Sequence, residues 1–165
     1  MKNLTVIMAV AVLVLGSIRV HAEGLVTTPQ LSLDMARTIA DAAIESCRKK
    51  GYQVSVVVTD RSGEPLVMMR DIYSNRYFTE LAHGKTQAVI MSNTTSAELR
   101  DNRPDMVNEL NLLDGMMVLA GGVPLQAAGS LVGAVGVSGA PGGDLDEACA
   151  RAGAEAVQEM LEFAE

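Results

Sequence analysis

With its first 22 residues set aside, the chain keeps one imidazole, His83, and three of its five remaining aromatic side chains, Tyr73, Tyr77 and Phe78, lie within ten residues of it. Neutral imidazole ligates haem iron and transition metals, and an aromatic cluster suits the flat apolar face of a porphyrin. Tyr77 offers another option, because tyrosinate is the axial ligand in some haem proteins. Plainer readings stand beside these: a histidine at a helix boundary, and aromatics that fill a core. Arg70 and Lys85 are the nearest cations. Each can hold a carboxylate, whether a haem propionate or a small organic acid, or can pair at the surface with Asp71 or Glu80. His83 is thus the candidate metal ligand. Tyr77, Lys85 and Arg70 are candidate cofactor contacts, with Met68, Met69 and Thr95 next in line.

Other chemistry-bearing residues form weaker constellations. Met68-Met69 and Met116-Met117 are doublets, which serve as gap filler in an aromatic-poor core or as thioether ligands to haem or copper. Glu159 and Glu162 form an ExxE that either holds iron through oxygen or solvates a surface. Ser138 sits in GVSGA, which is not the GxSxG of a nucleophile elbow. The same segment lacks the GxGxxG and Walker patterns of nucleotide sites, although its backbone N–H groups can face a ligand. No complete catalytic constellation is visible, so enzyme status stays open. Cys47 and Cys149 have no CxxC or Cys/His zinc spacing. They can form a disulfide or stand as two small buried apolar residues.

Residues 1–22 read as a secretory signal peptide. Lys2 makes a positive start, Leu4–Leu15 is apolar, and Val20-His21-Ala22 has the small-x-small form of a cleavage site. Leu4–Ile18 falls short of the roughly 20 apolar residues that span a bilayer. Residues 23–165 then form one domain, expected in the periplasm or secreted, with enough chain for a real core. The formal charge of −7 becomes −9 once Lys2 and Arg19 are removed. That balance argues against nucleic acid and against an anionic membrane surface. Many glycines and alanines with few aromatics leave apolar faces in need of cover, so a homo-oligomer is expected.

The elements that must position these residues follow from pattern. Ser32 caps a helix running to about Lys50, with Gly51 as its stop. Gln53–Asp60 alternates as a strand, Asp60-Arg61-Ser62-Gly63 turns the chain, and Pro65–Arg70 returns as its hairpin partner. Helices follow over Asn75–Met91, carrying His83, and over Ser96–Asn102. Arg103–Asp114 reads as a loop with a helical turn. Nine of the fifteen glycines then fall between Met117 and Gly153. They punctuate three strand-length runs, Met116–Ala120, Val123–Ala127 and Leu131–Val137, before a final helix over Leu145–Phe163. The expectation is an α+β domain with a five-stranded antiparallel sheet and flanking helices.

Several of these segments also carry a resemblance. Gly121-Gly122-Val123-Pro124-Leu125, the run GxxVGAVGVSG over Gly129–Gly139, and DxDEACARAG from Asp144 resemble the C-terminal half of the GlcG/HbpS-like family. That family is also described as the haem-degrading or PduO C-terminal-like domain. The resemblance extends upstream through Val56–Gly63 and Ala82–Thr86 and covers roughly residues 31–162. Lys85 sits at the family's usual lysine, while Thr86 replaces the usual alanine. The resemblance implies a profilin- or PAS-like sheet order, an oligomer, and haem as ligand in haem supply or iron-linked sensing. It also implies an alternative, a small-molecule enzyme or accessory factor in organic-acid or aromatic catabolism. There Arg70 and Lys85 would hold a carboxylate and His83 would act as general acid–base.

Overall fold

The structure is a computed structural model that describes Gly24 and residues 26–162. The expected leader, residues 1–22, and its cleavage after Ala22 lie outside the described residues. The first helix, α1, spans Leu33–Lys49. The Ser32 side chain accepts from the Met35 N–H, Asp34 lies in the first turn, and Arg48 and Lys49 lie in the last, matching the helix dipole. Gly51, at φ 82°, ends it as only glycine does without strain.

Strands β1 (Ser55–Asp60) and β2 (Pro65–Arg70) form an antiparallel hairpin, with Ser55 opposite Arg70 and Val57 opposite Met68. The turn is tied by Asp60, whose Oδ1 accepts from Ser62 N, Ser62 Oγ and Glu64 N at 2.7–3.0 Å. Burial pushes this carboxyl up, but the bonds from Ser62 and Glu64 outweigh it and hold it below its ordinary value. Next come α2 (Arg76–Ser92), α3 (Ser96–Asn102) and a single turn, α4 (Val107–Leu110). Strands β3 (Gly122–Ala127) and β4 (Ser130–Ser138) follow, then α5 (Gly143–Glu155) and α6 (Gln158–Glu162).

The sheet has four strands in the order β2-β1-β4-β3, all antiparallel. This corrects the expected five. Met116–Ala120 is not a strand, because its backbone finds partners elsewhere. Met117 N donates to Gly84 O at 3.0 Å, Val118 N to Asn111 Oδ1 at 2.8 Å, and Leu119 O accepts from Ser96 Oγ at 2.6 Å. With these groups satisfied by α2, α3 and the preceding loop, no ladder remains to be made. The expected last helix breaks after Glu155, and the break turns Val157 and Leu161 into the core.

The two sheet faces differ. Val56, Val58, Val135 and Val137 face α1 and α5 in the main hydrophobic cluster. Cys47 of α1 and Cys149 of α5 are joined there by a buried disulfide, which resolves the choice the sequence left open. On the opposite face α2 lies over β4 and β1 and reaches β2 only marginally. The close seat depends on Gly136 of β4, where a Cβ would run into Ala82 O. The α2-facing side of β2 is therefore left open beside the helix, and the site lies along that opening.

Candidate ligand-binding site

Helix α2 begins where Asn75 accepts from the Tyr77 N–H at 3.0 Å. That cap fixes the rotation of the helix, so Arg76, Glu80, His83 and Gln87, spaced three or four apart, share its outward stripe. His83 is half-buried and forms part of the wall of two cavities. The larger is about 650 Å³ and lies between α2 and the Asn111–Met117 loop. Tyr77, Leu81, Leu112, Leu113, Met116 and Met117 make it largely apolar. Its back is closed at Gly84, where a Cβ would stand 2.7 Å from Met117 Cβ. The smaller, about 410 Å³, lies over the exposed side of β2 and is lined by Met68, Met69, Arg70, Arg76, Thr79 and Glu80 besides His83.

The imidazole is held from one side. Gln87 Nε2 donates to Gly63 O at 2.8 Å and lies 2.8 Å from His83 Nε2. His83 Nε2 also lies 3.3 Å from Gly63 O, so this edge of the imidazole faces the β1–β2 turn, and its tautomer decides whether it donates to that carbonyl or accepts from Gln87. Gln87 thereby ties the β1–β2 turn to the histidine. A ligand that takes Nε2 must displace the Gln87 amide and part the imidazole from the Gly63 carbonyl.

Around the smaller cavity the polar groups are fixed by one another. Arg70 Nη1 donates to Ser74 O at 2.8 Å. Thr79 Oγ1 donates to Ser55 Oγ at 3.0 Å, and the Ser55 and Ser74 hydroxyls lie 2.8 Å apart. Arg76 pairs with Glu80 through Nε and Nη2 at 3.0–3.2 Å and lies over the Tyr77 ring.

The sequence candidates thus separate. His83, Tyr77, Arg70, Met68 and Met69 line the two adjoining cavities. Tyr73 is 84% exposed, and neither it nor Phe78 lines either cavity, so the aromatic cluster is not assembled around the histidine. Lys85 is buried instead of offered to a ligand. Its Nζ donates to Asp146 Oδ2 at 2.7 Å and to Val137 O at 2.8 Å. Burial pushes the ammonium below its ordinary value and the Asp146 carboxyl above its own, each against the pull of the other. The surface partners considered for it, Asp71 and Glu80, are engaged by Arg48 and Arg76.

Thr95 is buried as the N-cap of α3, where it forms a reciprocal capping box with Glu98. Glu162 of the ExxE accepts from Gln158, and among the described residues no three His, Cys, Asp or Glu side chains are grouped to hold a metal. Arg76 was missed in the sequence. Helical spacing sets Thr79 four residues before His83 and Gln87 four after it, beside it on one face, but gives neither a role.

Residues 31–155 match the sequence model of a family described as haem degrading protein HbpS-like. Among solved structures, a double mutant of HbpS from Streptomyces reticuli is similar at a TM-score of 0.76 and 36% identity, covering 85% of this chain and 95% of that one. A complex of PduOC with haem is similar at a TM-score of 0.70 and 26% identity, covering 78% and 95%. The Klebsiella pneumoniae protein ORFY shares the fold at 20% identity and a TM-score of 0.73, covering 81% and 94%. No curated protein sequence matches the chain.

Proposed function

The chain belongs to the haem-degrading HbpS-like family, and from that premise we propose that it binds haem in the larger cavity, with His83 as the nitrogen ligand. One observation carries the reading: the imidazole forms part of the wall of a 650 Å³ cavity whose other walls are mainly leucine, methionine and tyrosine side chains, with Glu80, Asn111 and Asp114 among them. A volume of this order suits a prosthetic group. The residues present fit it. Leu81, Leu112, Leu113 and the Met116-Met117 pair offer thioether and aliphatic surface to a flat ring, and Tyr77 stands at the rim, 63% exposed. Bound haem would supply an iron whose axial position an imidazole can fill.

The chain's own residues bind and orient. Gln87 covers His83 Nε2, and Gly84 lets the Met117 segment close the back of the cavity. A haem-related member of this family carrying the leader read from residues 1–22 would work outside the cytoplasm, in haem supply or iron-linked sensing.

Titrating the protein with haemin and following the Soret band tests this. Saturation at one haem per chain is expected, with His83→Ala moving the band and weakening binding. Absence of a saturable shift would overturn the reading.

A further inference from the structure

We propose that the smaller cavity is a carboxylate-binding subsite centred on Arg70. The observation behind it is a difference among the arginines. In Arg48, Arg76, Arg100, Arg103 and Arg151 the Nε–Nη2 edge is spent on an internal carboxylate. Arg70 uses Nη1 instead, on the Ser74 carbonyl, and of the described arginines whose Nε–Nη2 edge meets no carboxylate, Arg37, Arg61 and Arg70, it is the one that lines either of these two cavities. That edge is the planar fork that receives two carboxylate oxygens at once.

The fork is also held in place. Ser74 is buried and its hydroxyl is tied to Ser55, which in turn accepts from Thr79, so the carbonyl that anchors Arg70 belongs to a fixed network. Arg76 lines the same cavity, and Glu80 offsets one of the two positive charges there. The cavity is therefore locally cationic on a chain of net charge −7.

Two sources share this chemistry. One is a carboxylate of a porphyrin seated in the adjoining cavity, across the His83 wall; the other is a free organic acid. Only the first source rests on the haem reading.

Haemin, haemin dimethyl ester and succinate separate the cases, on the unaltered chain and on Arg70→Met. Arg61→Met is the control, since Arg61 is an exposed arginine in the β1–β2 turn and lines neither cavity. For a porphyrin carboxylate, haemin should bind about tenfold tighter than its diester. That preference should vanish in Arg70→Met and survive in Arg61→Met. For a free acid, haemin and diester should bind alike. Succinate should then shift the Arg70 Nε–Hε resonance of the unaltered chain and Arg61→Met, and Arg70→Met should lose saturable succinate binding measured by calorimetry. If neither porphyrin binds while succinate does, the haem reading falls and the subsite stands. Equal porphyrin binding with no succinate response overturns the subsite, and so does a preference that Arg61→Met removes as fully as Arg70→Met.

Discussion

His83 combines two roles that pull against each other. Its Nε2 lies 2.8 Å from Gln87 Nε2 and 3.3 Å from Gly63 O, so the nitrogen that would meet a metal is already engaged, and the same amide anchors the β1–β2 turn through Gly63 O. Gln87→Leu removes that competition. Haemin should bind several-fold tighter, while the turn loses a hydrogen bond with a net contribution of about 1 kcal/mol. Parallel Soret titrations and urea melts check the two effects separately. If Gln87→Leu weakens haemin as much as His83→Ala does, the amide contacts the ligand instead of guarding the histidine. Tyr77→Phe keeps the ring at the rim and deletes only the phenolic oxygen. Its Soret position should stay that of the unaltered chain; a change as large as that of His83→Ala would assign the iron to tyrosinate.

Among the elements, the junction of α2, the end of β4 and the start of α5 is held by the Lys85–Asp146 pair. Below its ordinary value of 10.5 Lys85 is protonated more readily in the unfolded chain, so its contribution to stability grows as pH rises toward that value. Above 3.8 the Asp146 carboxyl is protonated more readily in the folded chain, so its contribution shrinks as pH rises through its raised value. Both directions mark the buried charges as a net cost that the pairing only partly offsets. Lys85→Met, which strands Asp146, should therefore cost about 3–5 kcal/mol, whereas Lys85→Met with Asp146→Leu should recover most of it. Urea denaturation of both variants decides this, and a double variant as unstable as the single would refute it. The Asp60 turn behaves oppositely. Its carboxyl is held below 3.8, so its contribution is complete above that value and lost as pH falls through the lower folded one. Asp60→Asn should flatten the acid limb of the urea-measured stability profile below pH 3.8. The turn was legible in the sequence because its bonds span at most four residues, and α2 was legible from its helical pattern of apolar residues. Lys85 was misread because its partner lies 61 residues away. Met116–Ala120 was misread for a related reason, since the groups that satisfy its backbone belong to Gly84 and Ser96, and no local pattern shows them.

At the scale of the whole molecule, large apolar side chains remain uncovered. Ile72 is 81% exposed and Leu112 85%, and Tyr73 is equally open. Uncovered apolar side chains of this size favour self-association, so sedimentation at micromolar concentration should show a homo-oligomer, and a lone monomer would count against it. The disulfide permits a prediction that spans both faces of the sheet. Cys47 and Cys149 enclose a separation of 102 residues. In the chain-entropy account, closing a loop of that length restricts the unfolded chain by about 4–5 kcal/mol. The bridge joins α1 to α5 on the face of the sheet away from α2, so it contributes no atom to the walls of either cavity. The double variant Cys47→Ala/Cys149→Ala should therefore melt at a much lower urea concentration, with about 2–5 kcal/mol of stability lost. Under native conditions its haemin affinity should match that of the unaltered chain. A variant that melts normally would remove the bridge as a source of stability. One that folds but loses haemin would mean that the two faces are coupled through the sheet, and that the site is built on both.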